Sequence, residues 1–229
     1  KSDLSKALNM GVDWVALSFV QSAQNVKELS DIVGNKALIM AKIEKPSGVK
    51  NLKQIIEVVD GIMIARGDLG VELPPERVPA IQKNIIQQCR EAGKPVVVAT
   101  QMLESMISNN TPTRAEASDV ANAIYDGADA VMLSAESAIG KFPIESVTMM
   151  NNIIQSVEND SENYNESIQM QNKHDASTTD AITNAAYTIS DNAQAKAIVT
   201  FSVSGRTTLR MSRERSPVRV VGISPNIKT

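Results

Sequence analysis

The sequence predicts an α/β fold built on a parallel sheet, and three observations lead to this prediction. Short apolar runs of strand length alternate with longer segments of helical periodicity. The runs contain few polar residues, as is typical of strands buried on both faces of a parallel sheet. Successive runs begin roughly 23 to 35 residues apart, enough for a strand, a loop and a returning helix. We therefore expect five β/α units, either in an open doubly wound sheet or in part of an eight-unit barrel.

Each predicted element is supported by its own signals. The strands are expected at residues 14–20, 37–44, 61–70, 95–101 and 130–136. The helices are expected at residues 23–34, 47–59, 74–93, 111–127 and 143–159. Glycine ends the first and third helices, proline begins the third, and Thr113 with Glu116 predicts a capping box at the fourth.

A polar stretch after the fifth unit separates two predicted domains. We expect a barrel portion at 1–160, a linker at 161–176 and a partial α/β domain at 177–229. The second domain is expected to contain a helix at 179–194, a strand at 196–202, a loop and helix at 203–215, and a strand at 218–224.

Composition argues against several classes of function. The 229 residues are 42% hydrophobic and 21% charged, with a net charge of −3, so no general attraction to nucleic acid or an anionic membrane is expected. No apolar run reaches transmembrane length. The single cysteine, Cys89, excludes an intramolecular disulfide and suits a reducing cytoplasm. The single histidine, His174, lies in a polar stretch, so catalysis by a histidine base is not expected.

Polar side chains gather where the predicted strands end. The endings are Ser18-Phe19, Lys42-Ile43-Glu44, Arg66-Gly67-Asp68, Thr100-Gln101 and Ser134-Ala135-Glu136. Residues two apart on a strand share a face, so Lys42 and Glu44 should project together. A single charged pair could be a solvated strand end. Polar endings on successive strands instead favour a shared pocket at the carboxyl edge of the sheet, where the active sites of barrels lie.

The residue types at these ends indicate a cation and an anionic substrate. Glu44 and Asp68 are hard oxygen ligands that suit Mg²⁺ or Mn²⁺, although either could instead cap a helix or form a salt bridge. Lys42 could neutralise a phosphoryl group or an enolate oxygen, or simply pair with Glu44. Gly67 either allows close approach of a ligand or belongs to an ordinary βα turn. Thr100 offers its hydroxyl to a ligand or to its own backbone.

A second candidate site is the segment SGRTT at 204–208, after a predicted strand. Its hydroxyls, glycine and helix N-terminus indicate a phosphate cradle, although a capped helix start explains the same residues. The loop residues concerned are Ser202, Ser204, Gly205, Arg206 and Thr207. Nearby arginines favour an anion, but the aromatic residues expected for single-stranded nucleic acid are missing. Arg66 and Arg114 are expected to support the barrel site or an interface.

Five segments, taken in order, resemble the pyruvate kinase family. They are IMAKIEKPSGV, DGIMIARGDLGVELP, GKPVVVATQMLESM, TPTRAEASDVANAIYDGADAVMLSAESAIGKFP and SGRTT. The resemblance runs over residues 14–224 and implies a (β/α)₈ TIM-type barrel with an inserted lid and a C-terminal α/β domain. We expect this chain to hold the last five of the eight barrel units and the start of the C-terminal domain. A fragment of that kind is expected to be inactive alone.

The resemblance also implies an activity and a site. The family transfers phosphoryl from phosphoenolpyruvate to ADP, giving pyruvate and ATP in the final step of glycolysis. By resemblance, Lys42 stabilises the phosphoryl group in flight, while Glu44 and Asp68 hold Mg²⁺ or Mn²⁺. The backbone of Gly67 and Asp68 and the Thr100 side chain bind the enolpyruvate portion. K⁺ is implied too, with ligands in an N-terminal part that this chain lacks, and a cytoplasmic homotetramer is expected.

Two departures from the family and two other functions stay open. Ala135 stands where the family often has glycine, and Val203 replaces a lysine of some animal forms that bind a sugar bisphosphate. The effector of the SGRTT loop is therefore undetermined. A Mg²⁺-dependent lyase or aldolase would use Glu44 and Asp68 equally well. An inactive paralogue or an interaction fragment is the alternative that is not an enzyme.

Overall fold

The chain forms two compact units, residues 1–157 and residues 158–229. The structure is a computed structural model that describes residues 2–160, 178–216 and 218–226. The linker predicted at 161–176, which includes His174, lies outside the described residues. The predicted domain limits therefore stay a prediction.

The first unit alternates parallel strands with helices. In chain order its elements are α1 (Ser2–Met10), β1 (Trp14–Leu17), α2 (Ala23–Val33), β2 (Leu38–Ile43), α3 (Pro46–Lys50), α4 (Leu52–Ile56), β3 (Gly61–Ala65), α5 (Arg66–Glu72), α6 (Val78–Ala92), β4 (Val96–Ala99), α7 (Arg114–Tyr125), β5 (Ala130–Met132), α8 (Ala135–Ala138) and α9 (Pro143–Asn159). Two 3₁₀ helices, Pro75–Arg77 and Glu104–Ile107, precede α6 and follow β4.

The order of the strands distinguishes the two predicted architectures. The sheet runs β1-β2-β3-β4-β5, and each strand is parallel to the next. A doubly wound sheet reverses its strand order at a switch point, whereas a barrel keeps neighbours in sequence. The predicted α/β fold with part of a (β/α)₈ barrel is confirmed.

The alternation of side chains along β2 places Lys42 on the face opposite the core. Ile39, Ala41 and Ile43 are buried and belong to the hydrophobic core that includes residues of α2, α4 and α6. Lys42 lies on the other face, beside Met63 of β3 in the register of the sheet. Because all five strands are parallel, their carboxyl ends lie at one edge, and Lys42 stands at that edge.

The prediction of a single helix at 47–59 is wrong, because the segment forms two short helices, α3 and α4. Asn51 separates them with φ −98° and ψ 14°, outside the helical region, and its side-chain amide donates a hydrogen bond to the carbonyl of Gln21 at 2.8 Å. The buried Gly48 of α3 lies against the same loop. A Cβ atom at Gly48 would come within 2.5 Å of the Val20 carbonyl oxygen, so only glycine allows this close approach.

The strand expected at 61–70 is also too long, because it ends at Ala65 and α5 begins at once. Leu69, which the predicted strand included, is buried as a residue of α5. Helix α1 was not predicted from the sequence. The predicted capping box is confirmed: Glu116 N–H donates to Thr113 Oγ1 at 3.2 Å, and Thr113 N–H donates to Glu116 Oε2 at 2.7 Å.

The second unit begins a smaller α/β arrangement, as predicted. Its elements are α10 (Thr178–Asn192), β6 (Ala197–Phe201), α11 (Arg206–Arg213) and β7 (Arg219–Ile223). Strands β6 and β7 pair in parallel, so α11 is the crossover between them. Among the described residues, no helix has the length and apolar composition needed to cross a membrane.

Candidate active site

Lys42 and Glu44 meet at the carboxyl end of β2. Lys42 Nζ lies 2.7 Å from Glu44 Oε1, so the two side chains project together as their spacing predicts. The Glu44 side chain is 1% exposed and the Lys42 side chain is 25% exposed. A carboxylate this buried is not the solvated end of a strand. The ion pair that the sequence left as an alternative is present in the structure.

The loop after β1 contacts both members of this pair. Lys42 Nζ donates a hydrogen bond to Ser18 Oγ at 3.1 Å, and the Phe19 N–H donates to Glu44 Oε2 at 2.6 Å. Phe19 has φ +57°, a left-handed conformation that is uncommon for residues other than glycine. Such strain is retained where the surrounding structure fixes the backbone, here at the N–H that reaches Glu44. The sequence showed Ser18 and Phe19 only as a polar strand ending.

Asp68 lies in the first turn of α5, directly after the strand that pairs with β2. Its side chain is exposed and makes no hydrogen bond or ion pair with the residues that the structure describes. The site thus combines the buried carboxylate of Glu44 and the accessible one of Asp68 at the ends of adjacent strands. No described residues form a cluster of three or more His, Cys, Asp or Glu side chains suited to a metal.

The loops after β3 and β4 are joined through Gly67 and Thr100. The Gly67 N–H donates to Thr100 Oγ1 at 2.7 Å, and Thr100 Oγ1 in turn donates to the Ala99 carbonyl at 2.6 Å. A Cβ atom at Gly67 would lie 3.3 Å from Thr100 Oγ1, so glycine permits this approach of the hydroxyl. The alternative in which Thr100 bonds backbone groups is therefore present, at the edge that also carries Lys42 and Asp68.

The side chain of Arg66 holds the loop after β4 through hydrogen bonds. Its Nη2 donates to the Thr100 carbonyl at 2.9 Å and its Nη1 to Asp119 Oδ1 at 2.7 Å. Thr100 and Gln101 both have positive φ, 72° and 54°, so the guanidinium holds a strained segment in place. Arg66 thus contacts a site residue, which favours the supporting role expected for it. Arg114 is exposed at the start of α7.

Glu136 joins the loops after β4 and β5 and was missed as a structural residue by sequence reasoning. Its side chain is 2% exposed. Glu136 Oε1 accepts from the Leu103 N–H at 3.2 Å, and Oε2 accepts from the Ser134 N–H at 2.8 Å. The only sequence signal was the polar ending of the fifth strand. These bonds fix the segment that follows Thr100.

The SGRTT loop lies between β6 and α11 in the second unit. Gly205 precedes α11 with φ +74°, and α11 has no side-chain cap at its N-terminus. Ser204, Arg206 and Thr207 are exposed, and Arg206 makes no ion pair with the described residues. Arg213, by contrast, donates to Asp180 at 2.5 Å. The uncapped, exposed helix start is compatible with the cradle expected from the sequence.

Models of known protein families match the sequence of both units. The family model described as "Pyruvate kinase, barrel domain" matches residues 1–147, and "Pyruvate kinase, alpha/beta domain" matches residues 180–229. A pyruvate kinase of Methylorubrum extorquens is 48% identical over 229 residues, which are 100% of this chain and 48% of the relative. One from Agrobacterium vitis is 50% identical over 230 residues, with 100% and 48% covered.

A third relative gives the same result in another bacterium. A pyruvate kinase of Mycobacterium intracellulare is 50% identical over 226 residues, which are 97% of this chain and 47% of the relative. The chain therefore spans about half the length of the curated relatives it matches.

Proposed function

The chain belongs to the pyruvate kinase family, and from this premise we propose that it carries the phosphoryl-transfer site of a pyruvate kinase. In the complete protein, meaning this sequence with whatever precedes and follows it, the reaction is phosphoenolpyruvate plus ADP giving pyruvate and ATP. The observation that carries the proposal is the Lys42–Glu44 pair, 2.7 Å apart beside the accessible Asp68. The proposal includes a role in glycolysis, a cytoplasmic location and a homotetramer, which rest on the family alone.

Glu44 and Asp68 are the residues that would hold Mg²⁺ or Mn²⁺. The donor set fits a hard cation, because both are carboxylates and Asp68 has no competing partner among the described residues. Each Glu44 oxygen already has one partner, Lys42 Nζ or the Phe19 N–H, and keeps a second lone pair for a cation. Two protein ligands leave positions for water and substrate oxygens, as Mg²⁺ requires. A divalent ion there would offset the negative charge of the phosphoryl oxygens. We assign no K⁺ ligand among the described residues.

Lys42 would stabilise the phosphoryl group during transfer. Its ammonium is already held in place by Glu44 and by the Ser18 hydroxyl, so little reorganisation is needed when charge develops. Phosphoryl transfer depends mainly on positioning and charge rather than on covalent chemistry by the protein. A fixed cation at the end of β2 supplies both.

The backbone of Gly67 and Asp68 and the Thr100 hydroxyl would bind the enolpyruvate portion. The Gly67 N–H and the Thr100 hydroxyl now bond each other at 2.7 Å, so a substrate carboxylate would replace that bond with bonds to its own oxygens. In the second unit, we propose the loop of Ser202, Ser204, Gly205, Arg206 and Thr207 as a site for the phosphate of an effector.

A coupled assay on the complete protein tests this proposal. Pyruvate formation from phosphoenolpyruvate should require both ADP and Mg²⁺ and reach about 1–100 s⁻¹. Pyruvate release from other substrates without ADP would instead favour the lyase or aldolase, and no turnover at all would favour the inactive paralogue. The inactivity expected of residues 1–229 alone stays a prediction, which the same assay checks.

A further inference from the structure

Lys45 connects three segments around the candidate active site. It follows Glu44 directly and precedes α3. Its ammonium forms an ion pair with Glu72 Oε1, and it lies 5.6 Å from the centre of the Phe19 ring, within the range of a cation–π contact. The backbone of the same Phe19 bonds Glu44. Lys45 thus touches the loop after β1, the end of β2 and the end of α5.

The contact with Glu72 matters because the other anchors of α5, namely Arg66, Gly67 and Leu69, all lie within its first four residues. This helix has seven residues, of which only Leu69 is buried. Its N-terminal end is held toward β4 by the bond between the Gly67 N–H and Thr100. Its C-terminal end is held toward β2 by the ion pair of Glu72 with Lys45. Asp68 lies four residues before Glu72, on the same side of the helix.

We propose that Lys45 and Glu72 are positioning residues that set the separation between the Glu44 and Asp68 carboxylates, and thereby the affinity of the site for a divalent cation. This inference rests on the proposed function, because it takes Glu44 and Asp68 as the metal ligands. Without the ion pair, no described ion pair or side-chain hydrogen bond holds the last three residues of α5, and a tilt of the helix about Gly67 and Leu69 would change the distance between the Asp68 and Glu44 carboxylates.

A simple effect of charge predicts a different result. If Lys45 acted only through its charge, removing it would take a cation away from the metal and tighten binding. Removing Glu72 would take an anion away and weaken binding. Removing both would leave the net charge and the affinity nearly unchanged. A positioning role predicts that either single change weakens binding and that the second change adds little.

The experiment is a titration of the complete protein with Mn²⁺ alone, following free Mn²⁺ by electron paramagnetic resonance. The variants are Lys45→Met, Glu72→Gln, the double variant and Lys45→Arg, with Lys53→Met as a control for loss of an exposed lysine on α4. We expect each single change and the double change to raise Kd by a similar factor of about two to five, as for a partly exposed ion pair. Lys45→Arg and Lys53→Met should stay close to the unmodified protein.

The outcomes separate the two proposals. If the unmodified protein binds Mn²⁺ and Asp68→Asn removes that binding, the metal site is supported. An unchanged or lower Kd in Lys45→Met would then overturn the positioning role alone. A double variant whose Kd equals that of the unmodified protein would also overturn the positioning role, because an effect of charge alone predicts this result. If the unmodified protein has no Mn²⁺ site that depends on Asp68, both proposals are wrong.

Discussion

Replacing Lys42 by methionine removes the ammonium from the candidate active site and keeps a side chain of similar length. The ammonium is fixed 2.7 Å from Glu44 Oε1 and 3.1 Å from Ser18 Oγ. A fixed donor of this kind typically contributes about 10²–10³ in kcat. We predict that Lys42→Met lowers kcat of the complete protein by at least that order. The KM for phosphoenolpyruvate should change much less, because the groups assigned to the enolpyruvate portion remain.

The same substitution has a structural cost that must be separated from catalysis. Glu44 is 1% exposed, and among the described residues it keeps only the Phe19 N–H as a partner after Lys42 is lost. Breaking a fully buried pair costs about 3–5 kcal/mol. Lys42 is a quarter exposed, so water screens the loss, and we expect about 1–2 kcal/mol of the free energy of unfolding. Urea denaturation measures this loss.

A double variant and a second reaction distinguish the two effects of Lys42. Lys42→Met/Glu44→Gln removes both charges and should recover much of the lost stability but no activity. Exchange of the methyl protons of pyruvate with solvent needs no phosphoryl movement, so Lys42→Met should spare this exchange more than it spares turnover. Turnover within a few-fold of the unmodified protein would refute the reasoning, since Lys42 would then be only the structural partner of Glu44.

Three further predictions concern a metal ligand, a helix cap and a buried thiol. Asp68→Asn should raise the Mg²⁺ concentration needed for half-maximal rate, and an unchanged titration would make Asp68 a structural turn residue. Burial raises the pKa of Glu116, but hydrogen bonds from Ser105 and Thr113 outweigh it and lower the pKa overall. Glu116→Gln keeps an acceptor for the Thr113 N–H but removes the charge, so it should cost only about 0.3–0.5 kcal/mol of unfolding free energy at pH 7, because the group is largely exposed to solvent. The difference in stability between the unmodified protein and Glu116→Gln should shrink as the pH falls through the lowered pKa of Glu116. Urea denaturation at pH 7 and at low pH measures it, and a difference that did not change with pH would contradict a role for the Glu116 charge in the cap. Burial, with a smaller effect of Asp129, raises the pKa of Cys89 to about 12, so a thiol reagent at pH 8 should react only as the protein unfolds; rapid labelling of the native protein would contradict this.

The fold was largely predictable because its pattern is local. Apolar runs and helical periodicity located all five strands of the barrel portion, and the capping box at Thr113 fixed the start of α7. The errors arose where tertiary contacts decide. Asn51 divides a helix through a bond to another loop, and α5 begins at Arg66 directly after β3, with no connecting loop between them.

The candidate site was predictable only in part, for the same reason. The spacing of Lys42 and Glu44 was enough to predict that they share a face, and the structure places them in contact. Nothing in the sequence indicated that the Phe19 N–H would bond Glu44, because this contact depends on a backbone conformation and a neighbouring strand. The pairing of Lys45 with Glu72 spans 27 positions in sequence and likewise depends on the packed fold.

Movement of phosphorus itself gives the most direct test that Lys42, Glu44 and Asp68 form a phosphoryl-transfer site. We propose following phosphoenolpyruvate and ADP by ³¹P nuclear magnetic resonance with the complete protein and Mg²⁺. The phosphoenolpyruvate signal should be replaced by the γ-phosphate signal of ATP, and Glu44→Gln and Asp68→Asn should each slow this transfer strongly. Appearance of inorganic phosphate without ATP, or transfer at the unmodified rate in both variants, would contradict the assignment of this site.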